Sequence, residues 1–243
     1  MPMPRPDVPP FGFGIVKRRS IWDQCVYMTM GAKIRMTRLY AGLAAGVVAA
    51  FLGGSALWVL SNRGDDSFAQ CRQGQVAGGD IGGPFTLENT TGKTVTDAQV
   101  ITKPTLVYFG YTFCPDVCPF DMSRNVEAVD LLDAQGLDVT PVFISIDPER
   151  DTPEALADYA ANMHPKLIAL TGSAEQVKTA SQAYKTYYKR QPSEDEFYLM
   201  DHSTFTYLML PQTGFVDFFR RELTSDQMAE SVACFVKASN AGN

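Results

Sequence analysis

The sequence Tyr111-Thr-Phe-Cys114-Pro115-Asp116-Val-Cys118-Pro119 joins a strand-like segment to a helix-like one. Residues 105–109 before it are mostly apolar, as in a strand buried on both faces, and residues 122–132 after it carry apolar side chains at helical spacing. Cys114 and Cys118 are four residues apart, so they share one face near the start of the helix. The partial positive charge at the N-terminus of a helix favours thiolates over thiols. Thiolates attack disulfides and bind soft metals. The flanking prolines argue against two merely packed core thiols.

The remaining segments alternate between strand and helix patterns. This order predicts an α/β fold with a mixed sheet flanked by helices. A thiol pair at the end of the first core strand, leading into a helix, is the thioredoxin-like arrangement. We expect a hairpin within 81–95, strands at 139–146, 167–170, 204–210 and 215–219, and helices at 154–163, 174–188 and 224–238.

The N-terminal quarter differs in charge and hydropathy from the rest. Residues 1–38 carry seven basic and two acidic side chains, whereas residues 39–243 carry 14 basic and 25 acidic ones, a net charge of −11. This acidic body argues against nucleic acid as a partner. Residues 39–62 contain no charged side chain, and about 20 apolar residues suffice to span a bilayer as a helix. A buried soluble helix and a cleaved signal peptide are the alternatives, and the length of the segment disfavours both.

The charge distribution therefore predicts a single-pass membrane protein with one N-terminal transmembrane helix. By the positive-inside rule, residues 1–38 form a cytoplasmic tail, expected to be disordered, and residues 39–62 form the anchor. Residues 63–78 are polar and Gly-rich, as in a linker, and residues 79–243 form the exported thioredoxin-like domain. The compartment is the bacterial periplasm or, in a mitochondrion, the intermembrane space.

The cysteines outside the pair give weaker signals. Cys234 lies in an apolar run near the C-terminus, and we expect a packed core thiol there. Cys71 lies in the predicted linker, and nothing in the sequence assigns it a role. Export would place both in an oxidising compartment, where disulfides persist.

The two histidines offer a third ligand for a metal held by the thiol pair. His164 precedes a proline at a helix end, where an imidazole suits the helix dipole, so we interpret it as structural. His202 directly precedes the strand at 204–210, which in a thioredoxin-like sheet is an antiparallel neighbour of the cysteine strand. The start of one such strand lies beside the end of the other, so we place His202 near Cys114 and Cys118.

Two thiolates and one imidazole favour copper, because structural zinc usually takes four protein ligands and soft sulfur suits Cu(I). Asp116 and Asp201 flank the ligands in sequence. They are candidates for orienting His202 or tuning the thiols, although solvated loop carboxylates are equally common at such positions.

These motifs, in this order, closely resemble the Sco/SenC family of membrane-anchored, copper-binding, thioredoxin-like proteins. The resemblance covers about residues 79–238. It implies that Cys114, Cys118 and His202 bind one copper ion. The matching segments are Ile81-Gly-Gly-Pro-Phe85, the cysteine sequence 111–119, Ser145-Ile-Asp-Pro-Glu-Arg-Asp-Thr-Pro153, Thr171-Gly-Ser173, Tyr187-Tyr-Lys189 and Asp201-His-Ser203.

The resemblance also implies a metallochaperone that serves the binuclear copper centre of cytochrome c oxidase subunit II. It would deliver copper to that centre, reduce its cysteines, or do both. A copper donor protein and a thiol reductant are further partners that such a role would require.

Two enzymatic alternatives are a thiol–disulfide oxidoreductase, with a possible redox-sensing role, and a peroxidase. Oxidoreductases of the thioredoxin fold usually have two residues between the cysteines and a proline before the facing strand. Here three residues separate the cysteines, and His202 stands where that proline is expected. Tyr111 stands three residues before Cys114, where a peroxidase motif has Thr. The cysteine spacing and His202 disfavour the oxidoreductase, and Tyr111 disfavours the peroxidase. The sequence therefore favours metal binding.

Overall fold

The computed structural model describes residues 40, 43–59, 61, 68–72, 80–193 and 197–241. The chain divides into two compact units, Met1–Asp65 and Asp66–Asn243. In the first unit, residues 43–59 form helix α1. Among the described residues, no helix combines the length and the apolar character that a membrane span requires. The predicted tail at 1–38 lies outside the described residues, and the anchor at 39–62 stays a prediction.

A mixed sheet of seven strands forms the centre of the second unit. Its strands are β1 (Thr86–Asn89), β2 (Thr94–Thr96), β3 (Thr105–Gly110), β4 (Thr140–Ser145), β5 (Ile168–Thr171), β8 (Thr206–Leu210) and β9 (Gly214–Phe219). A separate two-stranded ribbon consists of β6 (Tyr188–Arg190) and β7 (Met200–His202). The helices are α2 (Asp97–Val100), α3 (Val117–Asp133), α4 (Pro153–Met163), α5 (Ala174–Ala183) and α6 (Ser225–Ala241).

The sheet order is β2-β1-β5-β4-β3-β8-β9. Strands β3, β4 and β5 run parallel, whereas β8 pairs with β3 in the antiparallel sense. Every residue of β3 is buried, as expected for a central strand covered on both faces. The mixed α/β sheet predicted from the sequence is therefore confirmed.

Local sequence signals explain where the helices begin. Helix α4 starts with Pro153 after Thr152, whose hydroxyl accepts the backbone N–H of Ala155 at 3.3 Å. Helix α5 begins with a capping box between Ser173 and Gln176. Both arrangements satisfy N–H groups that a helix start otherwise leaves without partners.

The structure corrects the predicted helix at 174–188. Helix α5 ends at Ala183, and the chain then turns through Lys185, whose φ of 53° lies in the left-handed region. The buried ring of Tyr184 packs against Phe109, with ring centroids 5.2 Å apart. Tyr188 consequently belongs to β6, because the chain leaves the helix to pair with β7.

The prediction that Cys234 is a free core thiol is wrong, because Cys234 forms a disulfide with Cys71. The bond joins a turn in the predicted linker to helix α6, and the rings of Phe68 and Phe235 pack beside it at 5.6 Å. Residues 68–72 of the predicted linker are thus part of the folded domain. Sequence spacing could not reveal this pairing, since 163 positions separate the two cysteines.

The disulfide lies far from the cysteine pair. Cys234 lines a surface groove with Leu131, near the C-terminal end of α3, whereas Cys118 lies in the first turn of the same helix. At 1.5 Å per residue, about 20 Å of helix separate Leu131 from Cys118. The two cysteine pairs are therefore independent in space.

We predict that Cys71→Ala combined with Cys234→Ala lowers the free energy of unfolding by about 2–5 kcal/mol, since the bond closes a long loop in the unfolded chain. Denaturant unfolding of the full chain measures this, and reduction of the wild-type chain should give the same loss. Copper stoichiometry should stay unchanged in the double variant. An unfolding midpoint equal to that of the oxidised wild type would contradict the prediction.

Candidate metal centre

The structure brings the three predicted ligands together at the end of β3. The sulfurs of Cys114 and Cys118 and a ring nitrogen of His202 all lie within 4.8 Å of one another. Cys118 Sγ is 3.4 Å from His202 Nε2. The cysteines are 6% and 2% exposed and form no disulfide, and His202 is half-buried. A single ion could contact all three atoms after small side-chain movements.

The sheet topology explains why the two cysteines and His202 lie close together. Tyr108 near the end of β3 pairs with Thr206 at the start of β8. The loop that follows β3 and the segment that precedes β8 therefore meet at one edge of the sheet, as predicted. His202 itself, however, lies in strand β7 and not in a loop.

The imidazole of His202 is oriented for ligation through Nε2. Its Nδ1 lies 2.8 Å from the carbonyl oxygen of Ser203, and only a protonated Nδ1 can donate there. In the neutral ring Nε2 then carries the lone pair, and it faces Cys118. Such a hydrogen bond on the far nitrogen is the usual way in which proteins orient a ligating histidine.

The two thiols are coupled and differ in their affinity for a proton. A hydrogen bond from Cys118 lowers the pKa of Cys114 well below its usual range. The backbone N–H of Cys118, at the start of α3, points at Cys114 Sγ from 3.4 Å. The hydrogen bond to Cys114, together with burial, raises the pKa of Cys118. The pair therefore favours one thiolate, on Cys114, and one thiol.

The predicted role of Asp116 and Asp201 changes in the structure. Asp116 is the N-cap position of α3, but its side chain makes no capping hydrogen bond; its backbone N–H lowers the pKa of Cys114. The carboxylate of Asp201 accepts the side-chain amide of Gln191 at 2.6 Å. Orientation of His202 comes instead from the Ser203 carbonyl.

A buried carboxylate that the sequence analysis did not single out holds the cysteine loop in place. Asp151, fully buried, accepts hydrogen bonds from the backbone N–H of Thr112 at 3.1 Å and from the hydroxyl of Ser145 at 2.6 Å. Burial raises the pKa of this carboxyl group. The Ser145–Pro153 motif thus acts structurally, by tying the end of β4 to the loop that carries Cys114.

Gly110 leaves the space that Cys118 requires. A Cβ atom at this position would lie 3.0 Å from Cys118 Sγ and 2.9 Å from the rings of Tyr108 and Phe143. These separations are shorter than packed side chains tolerate. An isolated glycine at the end of a strand is the signal that could have indicated this close approach.

We predict that Gly110→Ala costs about 1–3 kcal/mol of stability, as overpacking in a core typically does, and moves Cys118 away from His202. Thermal unfolding and copper affinity measured on the same variant test the two effects. Wild-type values for both would contradict the close packing at Gly110.

His164 has the structural role expected from the sequence. It ends α4, and its Nδ1 accepts the backbone N–H of Lys166 at 3.1 Å. Nε2 therefore carries the proton and donates to the carboxylate of Asp130 at 3.1 Å.

Comparison with known proteins finds a similar domain in one protein family and in bacterial and plant relatives. The SCO1/SenC family model matches residues 73–237. Protein SenC of Rhodobacter capsulatus is 53% identical over 200 residues, which cover 82% of this chain and 90% of that protein. Protein SCO1 homolog 1 of Arabidopsis thaliana is 44% identical over 153 residues, 63% of this chain but only 46% of that longer protein.

Solved structures of Sco proteins show the same thioredoxin-like fold, and one of the two described next contains copper. Arabidopsis thaliana ScoI, solved with copper bound, is 43% identical, with a TM-score of 0.61 over 66% of this chain and 99% of that one. BsSco, a member of the Sco family of cytochrome c oxidase assembly proteins in which a disulfide switch has been identified, is 26% identical. Its TM-score is 0.54 over 67% of this chain and 97% of that one.

Proposed function

The chain belongs to the SCO1/SenC family, and we propose that it is a copper metallochaperone for the assembly of cytochrome c oxidase. The observation that carries the proposal is the convergence of Cys114, Cys118 and His202 within 4.8 Å. Relatives of the same fold are solved with copper bound, and one belongs to a family of oxidase assembly proteins.

The ligand set suits copper as a cargo to be passed on. Two sulfurs and one imidazole select a soft ion such as Cu(I) and also accept Cu(II). Three protein ligands leave a position open to a ligand from a partner, so the ion can change proteins by stepwise exchange of ligands. We propose the binuclear copper centre of cytochrome c oxidase subunit II as the recipient and a copper donor protein as the source.

A second candidate function is thiol–disulfide exchange, and the lowered pKa of Cys114 favours it. The Cys114 thiolate would attack a disulfide in the partner and form a mixed disulfide. Cys118 would then displace the partner's second thiol, leaving a Cys114–Cys118 disulfide and a reduced partner. A thiol reductant would restore the pair. Copper binding and this disulfide exclude each other, because both require the same sulfurs.

We propose that the domain acts outside the cytoplasm, attached to a membrane through residues 39–62. The absence of charged side chains in that segment and the basic residues before it support this placement. The Cys71–Cys234 disulfide is consistent with an oxidising compartment.

Copper titration tests the proposed function directly. We predict that the reduced full chain binds one copper ion and that the chain oxidised at Cys114–Cys118 binds none, since a disulfide sulfur is no longer a thiolate ligand. Isothermal titration calorimetry with Cu(I), in the presence of a competing Cu(I) ligand, measures the copper stoichiometry of both forms. Equal uptake by the two forms would refute the assignment of the thiols as ligands.

Histidine substitutions test the third ligand. We predict that His202→Ala weakens copper binding by roughly 100-fold or more, because even changes outside the ligand set cost about 10–100-fold. His164→Ala is the matched control and should bind copper as the wild type does, since the imidazole of His164 forms its hydrogen bonds with Asp130 and Lys166 and not with the three candidate ligands. If both variants bind equally well, His202 is not a ligand.

A further inference from the structure

The strand that carries His202 is not part of the main sheet. Strands β6 and β7 pair only with each other among the described strands, with Tyr188 opposite His202. A two-stranded ribbon alone is marginally stable in water. Three residues connect β7 to β8 on one side of His202. The position of the imidazole therefore depends on contacts that hold the rest of the ribbon against the domain.

One side chain of the segment that leads into β7 is buried in the domain. Tyr198 is 5% exposed, although its neighbours Phe197 and Leu199 are 83% and 44% exposed. Its hydroxyl donates to Asp147 Oδ1 at 2.6 Å, and Asp147 is itself buried. A hydrogen bond to a buried carboxylate is stronger than one between neutral groups. The ribbon is thus attached to the loop after β4 through Tyr198.

The ring of Tyr198 is enclosed between two guanidinium groups. Arg150 from the loop after β4 and Arg190 from β6 each lie 3.6 Å from the ring centroid. The Arg150 side chain is held by Asp147 at 2.5 Å. Partly desolvated contacts between a cation and an aromatic face are stronger than exposed ones.

Arg150 also contacts the cysteine loop. Its guanidinium lies 4.8 Å from the ring centroid of Phe113 and 5.7 Å from that of Tyr111. Tyr111 in turn accepts the backbone N–H of Met200 in β7 at 3.2 Å, and its ring meets the His202 ring edge-on at 5.8 Å. Arg150 therefore joins the ribbon to the loop that carries Cys114.

We propose that Tyr198 is the positioning residue for His202: by inserting between Arg150 and Arg190 it holds β7 against the cysteine loop, so that Nε2 faces the two sulfurs. Tyr198 does not touch the ion and acts through the imidazole. The inference rests on the proposed function, in which Cys114, Cys118 and His202 bind copper.

The test compares Tyr198→Ala with Phe197→Ala in the full, reduced chain. Tyr198→Ala should weaken Cu(I) binding by about 10–100-fold, the range for groups that orient a ligand. Phe197→Ala removes an exposed aromatic ring from the same segment and should bind copper as the wild type does. Tyr198→Phe keeps the ring between the arginines and loses only the hydroxyl hydrogen bonds to Asp147 and Glu149, so its loss should be smaller than that of Tyr198→Ala.

A double-variant cycle separates positioning from general destabilisation. If Tyr198 acts through His202, adding Tyr198→Ala to His202→Ala should cause no further loss of copper affinity. In the metal-free chain, hydrogen exchange at the amides of Met200 and Ser203 should be faster in Tyr198→Ala, with the amides of β3 unchanged. This second readout does not depend on copper.

Several results would overturn the inference. They are an additive loss in the double variant, unchanged copper affinity in both Tyr198 variants, or unchanged exchange of the ribbon amides. If Tyr198→Ala does not fold, Tyr198→Phe in the same cycle decides the question. Failure of the proposed function would look different, since the wild-type chain itself would then bind no copper.

Discussion

The antiparallel pairing of β3 with β8 is the constraint on which the site depends. Tyr108 pairs with Thr206, so the chain leaves β3 toward Cys114 at the same edge of the sheet where it enters β8. His202, four residues before β8 begins, returns to the cysteines from more than eighty positions away. A parallel neighbour would have placed this histidine at the opposite end of the strand. The site is thus a consequence of strand direction before any side-chain contact is considered.

Within that frame, the two thiols lie close enough to interact, and they differ in their affinity for a proton. Cys114 accepts hydrogen bonds from Cys118 and from amides at the start of α3, which stabilise its thiolate, whereas Cys118 is buried deeper and keeps the proton. This arrangement serves two chemistries. In the first, a soft cation would bind both sulfurs in place of the proton. In the second, the Cys114 thiolate would attack a disulfide of the partner. The two proposed uses differ in whether the sulfurs bind an ion or each other, so in the proposed function the redox state of the pair decides whether copper can bind.

Three segments that are distant in sequence contact one another next to the candidate ligands. Asp151 fixes the cysteine loop through Thr112, and Arg150, next to it, contacts both that loop and Tyr198, which precedes β7. The loop after β4 therefore supports both the loop that carries Cys114 and the segment that leads to His202, although it supplies none of the three candidate ligands. At the other end of α3, the Cys71–Cys234 disulfide stabilises the domain without reaching the site. Stability and metal binding can consequently be altered separately.

The sequence by itself determined the fold class and predicted the three candidate ligands. Continuous apolar runs predict β3 and β4, capping residues and helical spacing predict α4 and α6, and the spacing of Cys114 and Cys118 at a strand–helix junction indicates their chemistry, because these signals are local. Only the tertiary structure decided that Cys71 bonds to Cys234, that Gly110 makes room for Cys118, that His202 lies on a ribbon and that Tyr198 holds this ribbon in place. Each of these depends on contacts between residues far apart in the chain. Such contacts leave no periodicity in sequence, since they arise only when the sheet brings separate loops to one edge.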